Sequence, residues 1–240
     1  MKKVSLCIFI PILNEENNLP LLVEKLVSLS VSASKIVLVI DPSKDRSLEV
    51  GKELERRFAN VTVFYRESRP KGRGNAGKDA WIYCLDLKPD FILEMDADHS
   101  HDPKHIPEFL AAQKKHNADV VIGSRYTTGG REVRGFTRKL ISWFAEKYLK
   151  VVLGVTFLTD PSSGYRLFTR ESVEQFDPQS LTSSDHRITT EILFRVRRKR
   201  IVEIPIEFHD RKFGTTKLKW TVLVKSLVSP LIWRFRQRTD

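Results

Sequence analysis

Cysteine and methionine are scarce in this 240-residue chain, with two of each. Cys7 and Cys84 lie far apart inside apolar stretches, and no C-x-x-C spacing occurs anywhere. A disulfide framework, a cysteine-based zinc site and a thioredoxin-type motif are thereby excluded, and both residues read as buried thiols of a reducing compartment. Long hydrophobic runs are absent as well. The longest late apolar stretch, from Trp220 to Trp233, contains Lys225 and Pro230 and falls short of the ~20 residues that span a bilayer. The apolar run behind Met1-Lys2-Lys3-Val4 ends at Pro11, too short and too β-like for a signal peptide. The expectation is a peripheral protein on the cytoplasmic side of a membrane, without a transmembrane helix. Acidic residues are the minority, 30 against 41 Lys+Arg, which leaves a net charge of +11. Such a balance favours polyanionic partners: nucleic acid, anionic lipid headgroups or phosphorylated substrates. No RNA-binding module and no aromatic-basic interleaved run is present, so nucleic acid is set aside.

What is there reads as one α/β domain. With 41% hydrophobic residues the chain is long enough to bury one sizeable core and too short for two comfortable ones. Apolar runs at residues 4–10, 36–40 and 91–95 each end in a polar cluster and alternate with helical patterns, the signature of a parallel sheet. Residues 61–65 and 119–122 add strands. Helices are expected to start near Asn14 to Asn18, near Ser43 to Ser47 and after Gly77. In residues 136–152, Phe136, Leu140, Ile141, Phe144, Tyr148, Leu149 and Val152 recur at helical spacing among Arg138, Lys139, Lys147 and Lys150. That basic amphipathic helix either packs on the core or lies on a membrane. In residues 218–238, Trp220 and Trp233 bracket an aliphatic stretch followed by Arg234, Arg236 and Arg238, a composition suited to a headgroup boundary. The division is a domain over 1–217 and a basic amphipathic extension over 218–240.

Chemistry concentrates where the apolar strand at 91–95 runs into Asp96-Ala97-Asp98-His99-Ser100-His101-Asp102-Pro103. Ligands of open α/β sheets collect outside the carboxyl ends of strands, and two hard oxygen donors there suit Mg²⁺ or Mn²⁺ holding a diphosphate. An EF-hand loop would want Gly at 101 and Glu at 107, where His101 and Pro107 stand. A dehalogenase-type phosphatase also places D-x-D after a strand, but near the start of the chain. His99, His101 and His105 lack a neighbouring cysteine and read as loop polars or carboxylate supports rather than zinc ligands. Gly72-Arg73-Gly74-Asn75-Ala76-Gly77 matches G-x-G-x-x-G, yet residues 67–71 separate it from the preceding strand, against the dinucleotide fingerprint. The reading preferred is a flexible turn at Gly74 and Gly77 that brings backbone and Lys78 to a nucleotide-sugar.

Taken in order, these segments resemble the polyprenol-phosphate sugar transferases of glycosyltransferase family 2, and within it the dolichol-phosphate mannose branch. The stretch from Ile10 to Leu19 is similar to the family's P-T-Y-N-E-x-x-N-L, with Leu13 in place of the usual tyrosine. Residues 41–47 match D-G-S-P-D-G-T without a gap, with Ile40 where a preceding Asp is usual. Residues 96–103 resemble D-A-D-x-S-H-x-P. The likeness continues through Gly123-Ser124-Arg125-Tyr126, Arg138 to Ser142, residues 160–168 and residues 203–217. It implies a GT-A-type, Rossmann-like, mostly parallel sheet flanked by helices, with amphipathic interfacial helices added.

The resemblance also implies roles. Pro11, Leu13, Asn14, Glu15, Val39, Asp41, Lys78, Asp96, Ala97 and Asp98 would bind the nucleotide-sugar, with Asp96, Asp98 and Ser100 on the metal. Arg125 and Arg138 would hold the acceptor phosphate, and Arg211 and Lys217 would close over the donor phosphates. Asp98, Arg125, Arg138, Arg211 and Lys217 form the implied catalytic set. The implied reaction is an inverting, Mg²⁺- or Mn²⁺-dependent transfer of a hexose to dolichyl or polyprenyl phosphate, mannose from GDP-mannose by this likeness. Its product would be a lipid-phosphate sugar donor for glycosylation. A family-2 transferase using UDP-glucose or another donor with a soluble acceptor is the alternative. An anionic membrane surface is the expected partner, and the lack of a spanning segment leaves room for a membrane-anchoring subunit. A lipid monophosphate with a second pKa of ~6, if it follows phosphoserine, is largely anionic near neutral pH and needs no dedicated general base.

Overall fold

The computed structural model describes residues 4–31, 33–133, 136–209 and 220–236, and at 133, 136–143, 209, 220–224 and 236 the backbone alone. Strict alternation organises the first strand, β1 (Leu6–Ile12). Leu6, Ile8, Ile10 and Ile12 enter one core cluster while Cys7 and Phe9 enter the other, the two-residue period by which a strand buried on both faces serves two cores. The same alternation runs through β2 (Lys35–Ile40), where Ile36, Leu38 and Ile40 face one way and Val37 and Val39 the other. These strands join β3 (Val61–Tyr65), β4 (Phe91–Glu94), β5 (Val120–Ser124), β7 (Arg166–Thr169) and β8 (Ile201–Pro205) in a seven-stranded sheet of order β3-β2-β1-β4-β7-β5-β8. Every pairing is parallel except those of β7, which runs antiparallel between β4 and β5. A small second sheet pairs β6 (Arg131–Val133) with β9 (Glu207–His209).

Helices cover both faces. The first core receives α1 (Leu19–Val27), α2 (Ser47–Arg57) and α4 (Ile106–His116); the second receives α3 (Arg73–Asp86), α5 (Phe136–Leu153), α6 (Arg170–Phe176) and α7 (Ile188–Val196). A last helix, α8 (Trp220–Arg236), packs against α5 and α7. Trp81 of α3 is fully buried, edge-on to Phe9 at 4.7 Å and to Phe168 at 4.9 Å, which anchors α3 across β1 and β7.

Helix α3 corrects the sequence expectation. It begins at Arg73 rather than after Gly77, capped by Gly72 at φ 130°, a left-handed conformation that a side chain would resist. Gly74 answers to packing: a Cβ there would stand 2.3 Å from the Ser183 carbonyl oxygen, whose neighbour Ser184 accepts from the Gly74 amide at 3.1 Å. The G-x-G run therefore seats α3 against residues 183–185.

Candidate active site

At the carboxyl end of the sheet the loops after β1 and β2 are laced together. The Asn14 amide donates to Ser43 Oγ at 3.1 Å and Asn14 Oδ1 accepts from the Lys44 amide at 2.7 Å. The Glu15 amide donates to Ser47 Oγ at 2.8 Å, and the Glu15 carboxylate accepts from Asn18 at 2.6 Å. Asn14 carries φ 57°, a conformation asparagine tolerates better than most residues. Asp41 is buried, ion-paired with the equally buried Arg66, and accepts the Gly72 amide at 3.1 Å. These residues, expected to contact donor, hold the loops after β1 and β2 to each other and to Gly72. Pro11 and Leu13 stay half-buried at the end of β1.

Two expectations for donor contacts are corrected. Val39 is fully buried in the second core, because the alternation of β2 turns it under the sheet, so its side chain offers no surface to a nucleotide. Lys78 lies in the second turn of α3, and its ammonium donates to the carbonyls of Gln179 and Leu181 at 2.6 and 3.2 Å. It ties α3 to the segment before α7 rather than reaching the strand ends.

Beyond β4 the chain makes the tight loop that carries the paired carboxylates. Asp98 is nearly buried, its Oδ1 accepting from the Ser100 amide at 3.1 Å and the Ser100 hydroxyl at 2.6 Å. Ser100 is therefore a support of Asp98 in this structure. Ala97 turns into the first core, and Asp96 keeps its carboxylate partly open at 36% exposure. Between them and His101 the backbone passes through a left-handed residue, His99 at φ 62°, the kind of local strain that clusters where a site must be shaped. His101 is buried, stacked on Tyr165 at 4.9 Å, and accepts the Asp96 amide on Nδ1 at 3.0 Å. Burial holds its pKa below the usual imidazole value despite Asp96 and Asp98. Neutral, with its proton on Nε2, it pins the loop as an acceptor.

The donor set fits a hard divalent cation. Among the described residues no group of three His, Cys, Asp or Glu could hold a metal unaided. A pair of carboxylates one residue apart, of which Asp96 is the more open, is the pattern in which Mg²⁺ or Mn²⁺ would be bound by few protein oxygens plus substrate phosphates.

Behind β5, Arg125 is buried and doubly committed. Its Nε and Nη2 donate to the two oxygens of Asp160 at 2.7 Å each, and Nη2 also donates to Ser162 at 2.7 Å. Burial works against its charge, but Asp160 outweighs it and the arginine pKa rises; Asp160, fully buried, is held below the usual carboxylate range by the same contact. Two of the three guanidinium nitrogens expected to meet an acceptor phosphate are thus already taken up by Asp160. Asp160 is fixed in turn by its amide, which donates to Glu203 at 2.7 Å. Glu146 of α5 stands 3.6 Å from Arg125 Nη2. Burial, reinforced by Asp160, pushes its carboxyl up to about 7. Arg138 lies in the first turn of α5 with its side chain outside the described residues, and Arg211 and Lys217 lie outside them altogether.

Sequence reasoning missed Arg73, Glu94, Glu146 and Arg66 as parts of this region. Arg73 reaches Glu94 at 2.5 Å over a separation of 21 residues, a pairing that topology creates and no local spacing announces.

Away from the cleft, α5 and α8 pack together, with Arg234 donating to the carbonyls of Val151 and Val152 at 2.8 and 3.0 Å. Phe144 and Val151 of α5 and Leu227, Val228, Ile232 and Phe235 of α8 remain exposed. No described helix is long and apolar enough to cross a membrane. Trp233, expected at a headgroup boundary, instead turns inward onto Phe194, ring centroids 6.2 Å apart. A cavity of about 330 Å³ beside it is lined by Val152, Leu153, Phe194, Arg197, Arg198 and Arg234 and takes nothing from the strand-end loops.

Comparison with known proteins adds four likenesses. The family described as glycosyl transferase family 2 matches residues 7–176. An undecaprenyl-phosphate mannosyltransferase of Micrococcus luteus is 33% identical over 96% of this chain and 94% of its own, and a polyprenol monophosphomannose synthase of Mycolicibacterium smegmatis is 32% identical over 97% and 88%. Among solved structures, glucosyl-3-phosphoglycerate synthase from Mycobacterium tuberculosis, in complex with Mn²⁺, UDP-glucose and glycerol 3-phosphate, superposes with a TM-score of 0.68 at 15% identity, over 96% of this chain and 80% of that one. At that identity the superposition speaks for the GT-A fold.

Proposed function

The chain belongs to glycosyl transferase family 2, and from that premise we propose that it transfers mannose from GDP-mannose to the phosphate of a polyprenyl phosphate at a membrane surface. The observation that carries the reading is the built D-x-D loop at the carboxyl end of the sheet, in a domain that also exposes apolar residues on α5 and α8. The two relatives, named for mannose transfer to undecaprenyl phosphate and for a polyprenol monophosphomannose, support both sugar and acceptor class.

A Mg²⁺ or Mn²⁺ on Asp96 and Asp98 would supply charge neutralisation at the leaving diphosphate. The protein's part is preorganisation. Ser100 and His101 hold the loop before substrate arrives, so no reorganisation is needed as charge develops. Asp41 and Arg66, with Asn14 and Glu15, keep the nucleoside side of the cleft in register. On the acceptor side, Arg138 is proposed to orient the lipid phosphate, with Arg125 adding its charge there while its Nε and Nη2 stay on Asp160; Arg211 and Lys217 are proposed to close over the donor phosphates. The apolar residues of α5 and α8, with Lys147, Lys150 and Lys225, suit insertion at an anionic bilayer surface.

The test is a donor panel. The protein is incubated with polyprenyl phosphate in detergent, Mn²⁺, and radiolabelled GDP-mannose, UDP-glucose or UDP-N-acetylglucosamine. Label is expected in lipid from GDP-mannose alone; lipid labelling only from a UDP-sugar would overturn the donor assignment.

A further inference from the structure

Arg73 stands at the D-x-D loop without a part in the proposed transfer. It is the first residue of α3, and its side chain folds back across Gly77, where an added Cβ would lie 3.2 Å from Nη1. That path brings Nη2 to 2.5 Å from Glu94 and 3.4 Å from Asp96. Nη1 is buried without a hydrogen-bond partner, so the guanidinium is incompletely satisfied by its present neighbours, a rare state for a buried donor. Glu94 is itself buried and lies opposite Arg166 in the β4–β7 ladder. Burial opposes the charge on Arg73, and Glu94 and Asp96 more than restore it. A fixed cation, held from behind by Glu94, is thus presented to the more open of the two candidate metal ligands.

A divalent cation arriving alone at Asp96 meets that guanidinium, and in a partly buried site the repulsion is stronger than in water. A diphosphate reverses the balance, because its negative charge is shared by cation and guanidinium together. We propose that Arg73 is a positioning residue for Asp96 that makes divalent-cation binding depend on the donor diphosphate. Without diphosphate, Arg73 stands in for the cation and keeps Asp96 paired. With it, the cation displaces the weaker of the two Arg73 contacts while Glu94 retains the side chain. The inference rests on Asp96 being a metal ligand.

Mn²⁺ binding, read from the free-ion electron paramagnetic resonance signal, tests this without any turnover. Wild type, Arg73→Lys, Arg73→Met, and Glu94→Gln with and without Arg73→Met are titrated with Mn²⁺ alone and with GDP or UDP present. The Glu94→Gln pair guards against a variant that unfolds because a buried carboxylate loses its partner. Expected is Mn²⁺-alone binding about tenfold tighter or more when Arg73 becomes Met in either background, from loss of one nearby positive charge. Most of the nucleotide-induced gain should disappear with it, while Arg73→Lys should follow wild type. Unchanged or weaker Mn²⁺-alone binding in folded Met variants overturns the role of Arg73 and leaves the metal site standing. Absence of Mn²⁺ binding by wild type, with and without nucleotide, overturns the metal site and the proposal together.

Discussion

Arg125 donates to both oxygens of Asp160, and both side chains are almost wholly removed from solvent. Removing one partner of such a pair strands a buried charge, at a cost of about 3–5 kcal/mol. Arg125→Ala is therefore expected to lower the melting temperature strongly as well as lower activity, whereas Arg125→Lys should recover part of the stability; calorimetry on both checks this. Glu146 makes the complementary case, facing Arg125, Asp160, Tyr126 and Lys150. Its carboxyl is raised to about 7 in the fold, so between the unfolded value and 7 the native state binds the proton more firmly than the unfolded chain. Stability from this group is full at low pH and is lost as pH rises through 7, at most about 1.4 kcal/mol per pH unit. Glu146→Gln should leave the melting temperature near wild type at pH 5 and raise it at pH 8; an equal shift at both would contradict the assignment. Of the candidate site, Asp96 and Asp98 were legible because a strand-to-loop transition is a local pattern. The partners of Arg125 and Arg73 were not, since sequence separations of 35 and 21 residues are closed only by the sheet order.

At the scale of elements, β1 to β4 could be read from apolar runs because buried parallel strands are nearly continuous in hydrophobicity. β7 was hidden: its four residues begin with a buried arginine, whose Nη1 and Nη2 donate to the carbonyls of Thr189 and Pro161. The start of α3 was misplaced because glycine signals a turn in sequence, while here it serves helix packing. The amphipathic patterns of α5 and α8 were legible, and each helix turns part of its apolar surface to the core and leaves part exposed. Leu149, Val152 and Leu153 enter the core while Phe144 and Val151 stay exposed. Replacing exposed Ile232 and Phe235 together by Asp should reduce flotation with vesicles containing anionic lipid several-fold, since each loses a buried apolar contact and adds charge repulsion. Thermal stability in solution should stay within about 1 kcal/mol of wild type, as expected of surface changes. Undiminished flotation would remove α8 from the membrane face.

For the whole molecule, the proposed function joins the D-x-D loop at the strand ends, read as the metal-diphosphate site, to the apolar, basic flank of α5 and α8, read as the face toward a membrane lipid carrying a phosphate. The measurement that bears on this most directly uses labelled GDP-mannose and Mn²⁺ with three acceptors in parallel: polyprenyl phosphate, the same polyprenol without phosphate, and a soluble phosphate such as 3-phosphoglycerate. Label is predicted in the organic phase with polyprenyl phosphate alone, abolished by EDTA and by Asp98→Asn while the variant keeps its fold. Transfer to the soluble phosphate, or release of free mannose with no labelled lipid, would contradict it.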